Sequence, residues 1–325
     1  MAPKRKQEGS LNTAYGVYNE KGDAIPQSDL PRKEKLSEDL TFISWNVGSL
    51  RSLLAKKPEL LLNLWNQERP AVLGLMETKI GPKEEESVTN DIRKLLGCET
   101  GLTLKSTSKK VKLIFNHSTS KKGYSGTLMI IDEFQTGAVS DPVFKIGTKP
   151  ADDEGRVIAI SLPSLSISVT LCYSPNSGQT LERLSYRTET FDKCLSEFCR
   201  DLKDSKQFPV LLMGDLNVAV DDEDIWNVDA AHIPKSAGTT PAERESFRRE
   251  FLDKGFHDTF KKPGNLNSGW FSYWSVRAGN KPKNRGLRLD YVLALGADDR
   301  ISEGFILPDF APNGDHAPVG VLVRK

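Results

Sequence analysis

The chain has 325 residues, of which 27% are charged and 38% are hydrophobic, a composition ordinary for a globular protein. The 45 basic and 44 acidic residues leave a formal net charge of +1, so any attraction to phosphate must come from local clusters. The apolar runs fall far short of the roughly 20 residues that span a bilayer, so we expect no membrane contact. The four cysteines lack zinc-ligand spacing, and we expect unpaired thiols in a reducing compartment.

Residues 1–40 differ in texture from the rest of the chain. They contain few large aliphatic side chains, and seven basic against seven acidic residues. Such a segment buries too little apolar surface to offset its loss of entropy, which predicts a flexible tail before one folded domain at 41–325. The basic run at 4–6 resembles a short nuclear import signal, so we expect a nuclear protein, with the mitochondrion as the alternative.

Apolar runs predict the first elements of the folded domain. Residues 42–45 and 71–76 have the pattern of strands, and 58–65 place their leucines at helical spacing. A helix between two strands predicts a parallel crossover. Four further strand-like runs without long helical patterns between them predict an antiparallel meander. These runs are residues 111–115, 126–131, 156–162 and 166–173.

The second half returns to helices and then to strands. Apolar residues at spacings of three, four and seven predict a helix from about residue 180 to 202, followed by a buried strand at 208–213. Pro241 lies near the start of a second predicted helix, at 241–254. Together the elements predict an α/β domain with two mixed sheets packed face to face and helices outside. The last predicted strands are residues 271–276, 288–295 and 317–323.

Polar residues able to do chemistry recur where these strands end. A single case indicates only a turn, but several in one chain indicate strand ends that converge on one cleft. Carboxylates suit a hard cation, and amides, a phenol and an imidazole suit phosphate oxygens and the in-line attack of water on phosphorus. The residues are Asn46, Glu77, Tyr173, Asn176, Asp215, Asn217, Asp315 and His316.

Eight short motifs occur in one order along residues 41–325. They are Ser44-Trp45-Asn46-Val47, Met76-Glu77-Thr78-Lys79, Gly123-Tyr124-Ser125-Gly126, Glu154-Gly155-Arg156-Val157, Tyr173-Ser174-Pro175-Asn176, Gly214-Asp215-Leu216-Asn217-Val218, Arg288-Leu289-Asp290-Tyr291 and Gly314-Asp315-His316-Ala317-Pro318. In these motifs the chain resembles the exonuclease III-type apurinic/apyrimidinic (AP) endonucleases of the endonuclease/exonuclease/phosphatase superfamily. The resemblance implies a four-layer α/β sandwich and a catalytic domain at 41–325.

The resemblance also implies an activity. It implies hydrolysis of DNA 5′ to an abasic site that leaves a 3′-hydroxyl, with Mg²⁺ as cofactor and Mn²⁺ as a substitute. A 3′-5′ exonuclease or 3′-repair activity would accompany it. The expected partner is double-stranded DNA with abasic sites or 3′-blocked ends, bound by a monomer.

The resemblance assigns roles to single residues. The metal would be held by Glu77, Asp315 and Asn46. The catalytic group would comprise Asp215, Asn217, His316, Asp290, Tyr173 and Asn176. DNA would be contacted by Lys79, Arg156, Tyr273, Leu287 and Leu289. The sequence leaves open whether the aspartate or the histidine is the general base, although an imidazole paired with Asp290 is more cationic and therefore favours phosphate stabilisation.

Two positions depart from the family pattern. Gly48 stands where an acidic or amide residue is usual, which predicts weaker binding of Mg²⁺. Leu287 stands where tryptophan is common in the pocket for the base-free sugar. Because pocket shape supplies only about 1–3 kcal/mol of discrimination per group, the smaller side chain predicts some activity on nucleotides that keep their base.

Two other classes of function stay open at this level. One is another phosphodiesterase of the superfamily, such as a DNase I-like nuclease, an RNA deadenylase or an inositol-phosphate or sphingomyelin phosphodiesterase. The other is a non-catalytic module that binds damaged DNA, for which Gly48 would mark a degenerate site. The catalytic residues Asp215, Asn217, Asp290 and His316 argue against such a module, because binding alone does not need them.

Overall fold

The computed structural model describes residues 35–98, 110–261, 269–310 and 314–325. The tail predicted at 1–40 lies outside these ranges except for its last six residues. The first strand begins at Asp39, two residues before the predicted domain. In the described ranges, no helix is both long enough and apolar enough to cross a membrane.

The described strands form two mixed sheets. The first sheet has the order β10-β11-β1-β2-β4-β3 and the second has the order β5-β6-β7-β9-β8. Each contains one parallel pair, β1 with β2 and β6 with β7, and the other pairs are antiparallel. The strands are β1 (Asp39–Asn46), β2 (Pro70–Met76), β3 (Val111–Asn116), β4 (Thr127–Asp132), β5 (Val157–Leu162), β6 (Ile167–Tyr173), β7 (Val210–Asp215), β8 (Phe256–Asp258), β9 (Asp290–Leu295), β10 (Ile301–Ile306) and β11 (Val319–Arg324).

The two sheets share a core. Successive side chains of a strand point to opposite faces, so Phe42 joins the cluster between the sheets while its neighbour Ile43 joins the cluster under the first sheet's helices. The central cluster also holds Leu171 and Met213 from the second sheet. The sheets approach closely at Gly74, where an added Cβ would lie 2.4 Å from a methyl group of Leu171.

Helices cover both outer faces. The first three pack on the first sheet and the last two on the second, which gives four layers and confirms the predicted sandwich. Thr240 starts the last helix with a reciprocal hydrogen-bonded cap to Glu243. The helices are α1 (Leu50–Lys56), α2 (Pro58–Glu68), α3 (Glu85–Leu95), the short α4 (Glu133–Thr136) after β4, α5 (Asp192–Lys206) and α6 (Pro241–Glu250).

Several predicted elements differ from the structure. The parallel crossover from β1 to β2 is confirmed, but the predicted meander is wrong, since β3 and β4 pair in one sheet and β5 and β6 pair in the other. Residues 271–276 form only isolated bridges through Tyr273 and are not a strand. The helix predicted from residue 180 begins later, with a π-helical turn at Tyr186–Phe191 before α5. The apolar pattern of the sequence could not distinguish the predicted meander, the extra strand and the longer helix from the elements that the structure shows.

Candidate active site

The topology brings the predicted polar residues to one edge of the two sheets. The parallel pairs β1–β2 and β6–β7 end at this edge, at Asn46, Met76, Tyr173 and Asp215. Strand β9 runs antiparallel to β7 and starts there, with Asp290 directly opposite Asp215. Carboxyl ends of neighbouring strands commonly form a ligand crevice.

A buried triad lies at the centre of the edge. His316 Nδ1 lies 2.8 Å from Asp290 Oδ2, and His316 Nε2 lies 3.7 Å from Asp215 Oδ2. Asp215 also accepts hydrogen bonds from the side-chain amide of Asn46 and the backbone N–H of Asn217, each at 2.9 Å. Asp215, Asp290 and His316 are 1%, 2% and 6% exposed. These contacts fix the orientation of both the carboxylate and the imidazole.

Burial and charge shift the acid–base properties of the triad. Burial lowers the pKa of His316, but the negative charges of Asp290 and Asp215 outweigh it and raise the pKa above its ordinary value. Burial raises the pKa of Asp215, the charge of His316 opposes the rise, and the charge of Asp290 adds to it. The imidazole is therefore held cationic, while Asp215 is a stronger proton acceptor than an ordinary aspartate.

Glu77 lies beside the triad in a ring of donors. The phenol of Tyr173 donates to Glu77 Oε1, Asn46 Nδ2 lies 3.4 Å from the same oxygen, and Lys79 Nζ lies 2.9 Å from Oε2. Burial raises the pKa of Glu77, but the hydrogen bonds from Tyr173 and Lys79 outweigh it and lower the pKa. Glu77 therefore remains an anion, and its side chain is 23% exposed.

The loops after β6 and β7 are joined through two amides. Asn176 Nδ2 donates to Asn217 Oδ1 at 3.0 Å, and Asn217 Nδ2 donates to the carbonyl of Ser174 at 3.0 Å. Asn217, Glu77 and Lys79 all have positive φ angles, of 50°, 52° and 56°. Left-handed backbone at residues other than glycine is costly and concentrates at functional sites. Glu77 and Lys79 therefore place this strain in the turn after β2, whereas an asparagine such as Asn217 adopts the conformation at lower cost.

Two sets of groups could hold a metal ion. The first set, within the described ranges, is the triad itself. The possible donor atoms of Asp215, Asp290 and His316 all lie within 4.8 Å of one another. His316 Nδ1 is engaged with Asp290 Oδ2, and a cationic imidazole is no ligand. Glu77 and Asp315 offer partly exposed carboxylates, which suit a hard cation that keeps several waters. The donor chemistry therefore fits Glu77 and Asp315 better.

Gly48 lies at the predicted metal position. Its backbone N–H donates to Asn46 Oδ1 at 3.0 Å. Its φ is +62°, and a Cβ there would lie 4.0 Å from Asp315 Oδ1. A carboxylate at position 48 would thus face Asp315, so the glycine removes one oxygen donor from this side of the site.

Arg156 is buried, whereas its predicted role as a DNA contact requires an exposed side chain. The sequence predicts a DNA contact, but Arg156 is 1% exposed and pairs with Glu154. Its guanidinium donates to the carbonyl of Tyr173 at 2.9 Å and to the hydroxyl of Tyr124 at 2.9 Å, and it lies 4.7 Å from the ring centroid of Tyr173. In this structure Arg156 therefore supports Tyr173 from behind.

The other predicted DNA contacts border the triad. Lys79 is 37% exposed at the rim beside Glu77. The ring of Tyr273 lies 4.9 Å from the ring of His316 and lines a pocket together with Leu287. Leu289 is 6% exposed and supports this wall from within its own apolar cluster.

Two side chains near the site escaped the sequence analysis. Arg187 is fully buried and donates to the backbone carbonyls of Pro175 and Leu216, which immediately precede Asn176 and Asn217. Trp226 lines the pocket of Tyr273. Neither lies at a predicted strand end or at a position that the family resemblance assigned, and these were the two signals that found the other residues.

Fold and site together define an α/β-sandwich hydrolase with a buried Asp–His–Asp triad at the shared edge of its sheets. Residues 43–316 match the Endonuclease/Exonuclease/phosphatase family, and the chain belongs to that family of metal-dependent nucleases. The chain is 32% identical over 286 residues to an exodeoxyribonuclease of Bacillus subtilis (strain 168), covering 88% of this chain and 100% of the relative.

A second relative and a solved structure show the same likeness. The DNA-(apurinic or apyrimidinic site) endonuclease of Dictyostelium discoideum is 32% identical over 305 residues, covering 92% of this chain and 74% of that protein. The crystal structure of the AP endonuclease LMAP from Leishmania major superimposes with a TM-score of 0.74 at 26% identity, covering 98% of this chain and 99% of that one.

Proposed function

We propose that this protein is a DNA-(apurinic or apyrimidinic site) endonuclease of DNA repair that hydrolyses the phosphodiester 5′ to an abasic site. The observation that carries the proposal is the oriented triad, in which a cationic His316 lies 3.7 Å from an Asp215 carboxylate with a raised pKa. A proton acceptor beside a fixed cation suits the attack of water on a phosphate diester.

The residues divide the reaction between them. Asp215, held by Asn46 and Asn217, takes the proton of the attacking water. His316, held by Asp290, stabilises the negative charge that grows on the phosphate oxygens. This assignment makes the aspartate the general base, which the sequence left open.

Two further groups face the phosphate as donors. Burial, with the charges of Glu77 and Asp215, raises the pKa of Tyr173 well above its ordinary value, so its phenol keeps its proton. The amide of Asn176 is fixed by its hydrogen bond to Asn217 and completes the donor set. Both groups are therefore suited to bind and orient a phosphate.

We propose Mg²⁺ as the cofactor, with Mn²⁺ as a substitute, held by Glu77 and Asp315 near Asn46. A divalent cation there supplies charge neutralisation at the phosphate oxygens. Gly48 leaves this side of the site with one oxygen donor fewer, which implies weak Mg²⁺ binding. Gly48→Asp should therefore lower the half-saturating Mg²⁺ concentration in a cleavage titration, and an unchanged value would contradict the inference.

A second activity is the removal of nucleotides or blocking groups from 3′ ends. The wall residue Leu287 favours it, because a leucine leaves room that a larger side chain would fill. The likeness to an exodeoxyribonuclease supports the same activity. We further propose that the protein acts as a monomer in the nucleus, which size-exclusion light scattering and localisation of a tagged full chain would test.

One assay separates these functions. The protein is incubated with a duplex carrying a single tetrahydrofuran abasic analogue and with an intact duplex, each with Mg²⁺ or EDTA. We expect internal incision only at the analogue and only with Mg²⁺, and Asp215→Asn should abolish it while duplex binding persists. Binding of the analogue without cleavage by the wild-type protein would leave a damage-binding module instead.

A further inference from the structure

A pocket of about 470 Å³, including its open mouth, lies next to the triad. Tyr273 belongs to both, because its ring contacts His316 and also lines the pocket. On the far side of Tyr273, Leu287 exchanges two backbone hydrogen bonds with it, each 2.9 Å long. A nucleotide whose 5′-phosphate lies at the triad would therefore have its sugar and base directed toward this open pocket.

The pocket has a second aromatic wall beside Leu287. Ile225 pairs with Leu287 in an isolated β-bridge, and the N–H of Trp226 donates to the carbonyl of Gly286 at 3.1 Å. Trp226 packs in part against the central core cluster, and both Trp226 and Leu287 line the pocket. Arg285 also lines the pocket, and its guanidinium lies 5.0 Å from the centroid of the indole. This side of the pocket thus combines an indole with a guanidinium placed over its ring.

A buried ion pair sets the position of this wall. The side chain of Arg288 donates to Asp224 at 2.8 Å, and the backbone N–H of Arg288 donates to the carbonyl of Asp224 at 2.9 Å. Both residues are 1% exposed. Because they are the neighbours of Ile225 and Leu287, the ion pair ties the two segments together. Trp226 is consequently held in place before any ligand arrives, which reduces the ordering cost of binding.

We propose that Trp226, braced by Arg285, stacks against the base of a nucleotide held in this pocket. The ligand class is a nucleotide that retains its base, at the 3′ end of a strand. The inference rests on the proposed function and extends it, since an abasic residue has no base for the indole to contact. Every base has a π-face, so such a wall accepts all four bases.

The test compares two duplexes of equal length. One carries an internal tetrahydrofuran analogue, and the other has a recessed, fully paired 3′ end. We expect Trp226→Ala to lower kcat/KM for removal of the 3′ nucleotide about tenfold, the usual scale of one lost base–aromatic stack. Cleavage at tetrahydrofuran, which has no base, should fall less than the removal of the 3′ nucleotide. Trp226→Phe, which keeps an aromatic face, should retain most of the trimming activity.

Two further variants separate the wall from other effects. Arg285→Met should lower trimming more than Arg277→Met, a matched loss of an exposed arginine that does not line the pocket. Leu287→Trp should fill space in the pocket and also reduce trimming relative to tetrahydrofuran cleavage. In EDTA, the recessed duplex should quench more indole fluorescence in the wild-type protein than in Trp226→Phe.

The outcomes distinguish the inference from the function on which it rests. Wild-type protein that cleaves neither duplex with Mg²⁺ would refute the proposed nuclease function itself. Cleavage at tetrahydrofuran without removal of intact 3′ nucleotides would overturn only the base-binding wall. An equal loss on both duplexes in Trp226→Ala would likewise overturn it, because the indole would then serve packing alone.

Discussion

Arg187 joins the two loops that carry the candidate asparagines. Its side chain is fully buried, and its Nε lies 2.6 Å from Asp192 Oδ1. One terminal nitrogen donates to the carbonyl of Pro175 at 3.0 Å and the other donates to the carbonyl of Leu216. The residue after each carbonyl is one of the two asparagines, Asn176 and Asn217. Arg187 therefore acts on the site by positioning these loops.

Arg187→Met should affect stability and activity separately. It removes the buried ion pair with Asp192 and leaves that carboxylate with a hydrogen bond from Ser246 but without a cationic partner. We therefore expect the free energy of unfolding to fall by about 3–5 kcal/mol. The same change leaves two carbonyls without their donor. A displacement of about 1 Å costs roughly 100-fold in rate, so kcat should fall about 10- to 100-fold. The double variant Arg187→Met/Asp192→Asn removes the unpaired charge and should regain stability but not activity.

Urea unfolding and single-turnover cleavage of the tetrahydrofuran duplex measure the two effects. Asp192→Asn alone is the matched control, because it keeps the donors to both carbonyls. All four proteins are compared at a temperature where each is folded. The reasoning fails if the double variant regains cleavage together with stability, or if Arg187→Met cleaves within twofold of wild type.

Three other changes test the charges of the site and of the fold. Glu77→Gln should raise the half-saturating Mg²⁺ concentration of cleavage at least about tenfold, because it removes the anionic ligand; an unmoved titration curve would count against this ligand. Asp290→Asn should lower kcat by roughly 10²- to 10⁴-fold, the scale for losing the carboxylate that orients a catalytic imidazole, with duplex binding in EDTA unchanged; a loss confined to binding would contradict it. Burial raises the pKa of Asp221, but hydrogen bonds from Lys261 and Arg248 outweigh it and lower the pKa to about 2. The stability from this carboxylate is therefore present above its ordinary pKa and is lost as pH falls from about 4 to about 2. Asp221→Asn should narrow the difference in unfolding free energy between pH 5 and pH 3. An equal difference in the wild-type and variant proteins would disprove this.

Some of the fold could be predicted because local pattern and long-range contact coincide. Strands β1 and β2 are apolar runs around a helical pattern, and a short parallel crossover is the simplest way to join them. Polar residues end the apolar runs of β1, β2 and β7 at the sheet edge. Asn46 and Asp215 could therefore be placed at one site before any coordinates, and the structure brings their side chains within 2.9 Å.

Other features depend on contacts that the local sequence does not encode. Strands β4 and β5 look like neighbours in a meander, yet they belong to different sheets. Arg156 carries a charge that predicts exposure, but Glu154 and two tyrosines satisfy it inside the protein. Arg187 likewise resembles a surface charge on a helix, and its partners at Pro175 and Leu216 lie 12 and 29 residues away in sequence. Burial of a charge is decided by such distant partners.

The most direct test of the proposed hydrolysis is the chemistry of the cut ends. A duplex with one natural abasic site is cleaved with Mg²⁺ in water enriched in ¹⁸O, and the fragments are analysed by mass spectrometry. Because Asp215 is assigned to activate water for attack on phosphorus, one ¹⁸O should appear in the 5′-phosphate of the abasic fragment, and the other fragment should end in an unlabelled 3′-hydroxyl. An unlabelled 5′-phosphate beside a 3′ unsaturated aldehyde, or a 3′-phosphate end, would contradict the account.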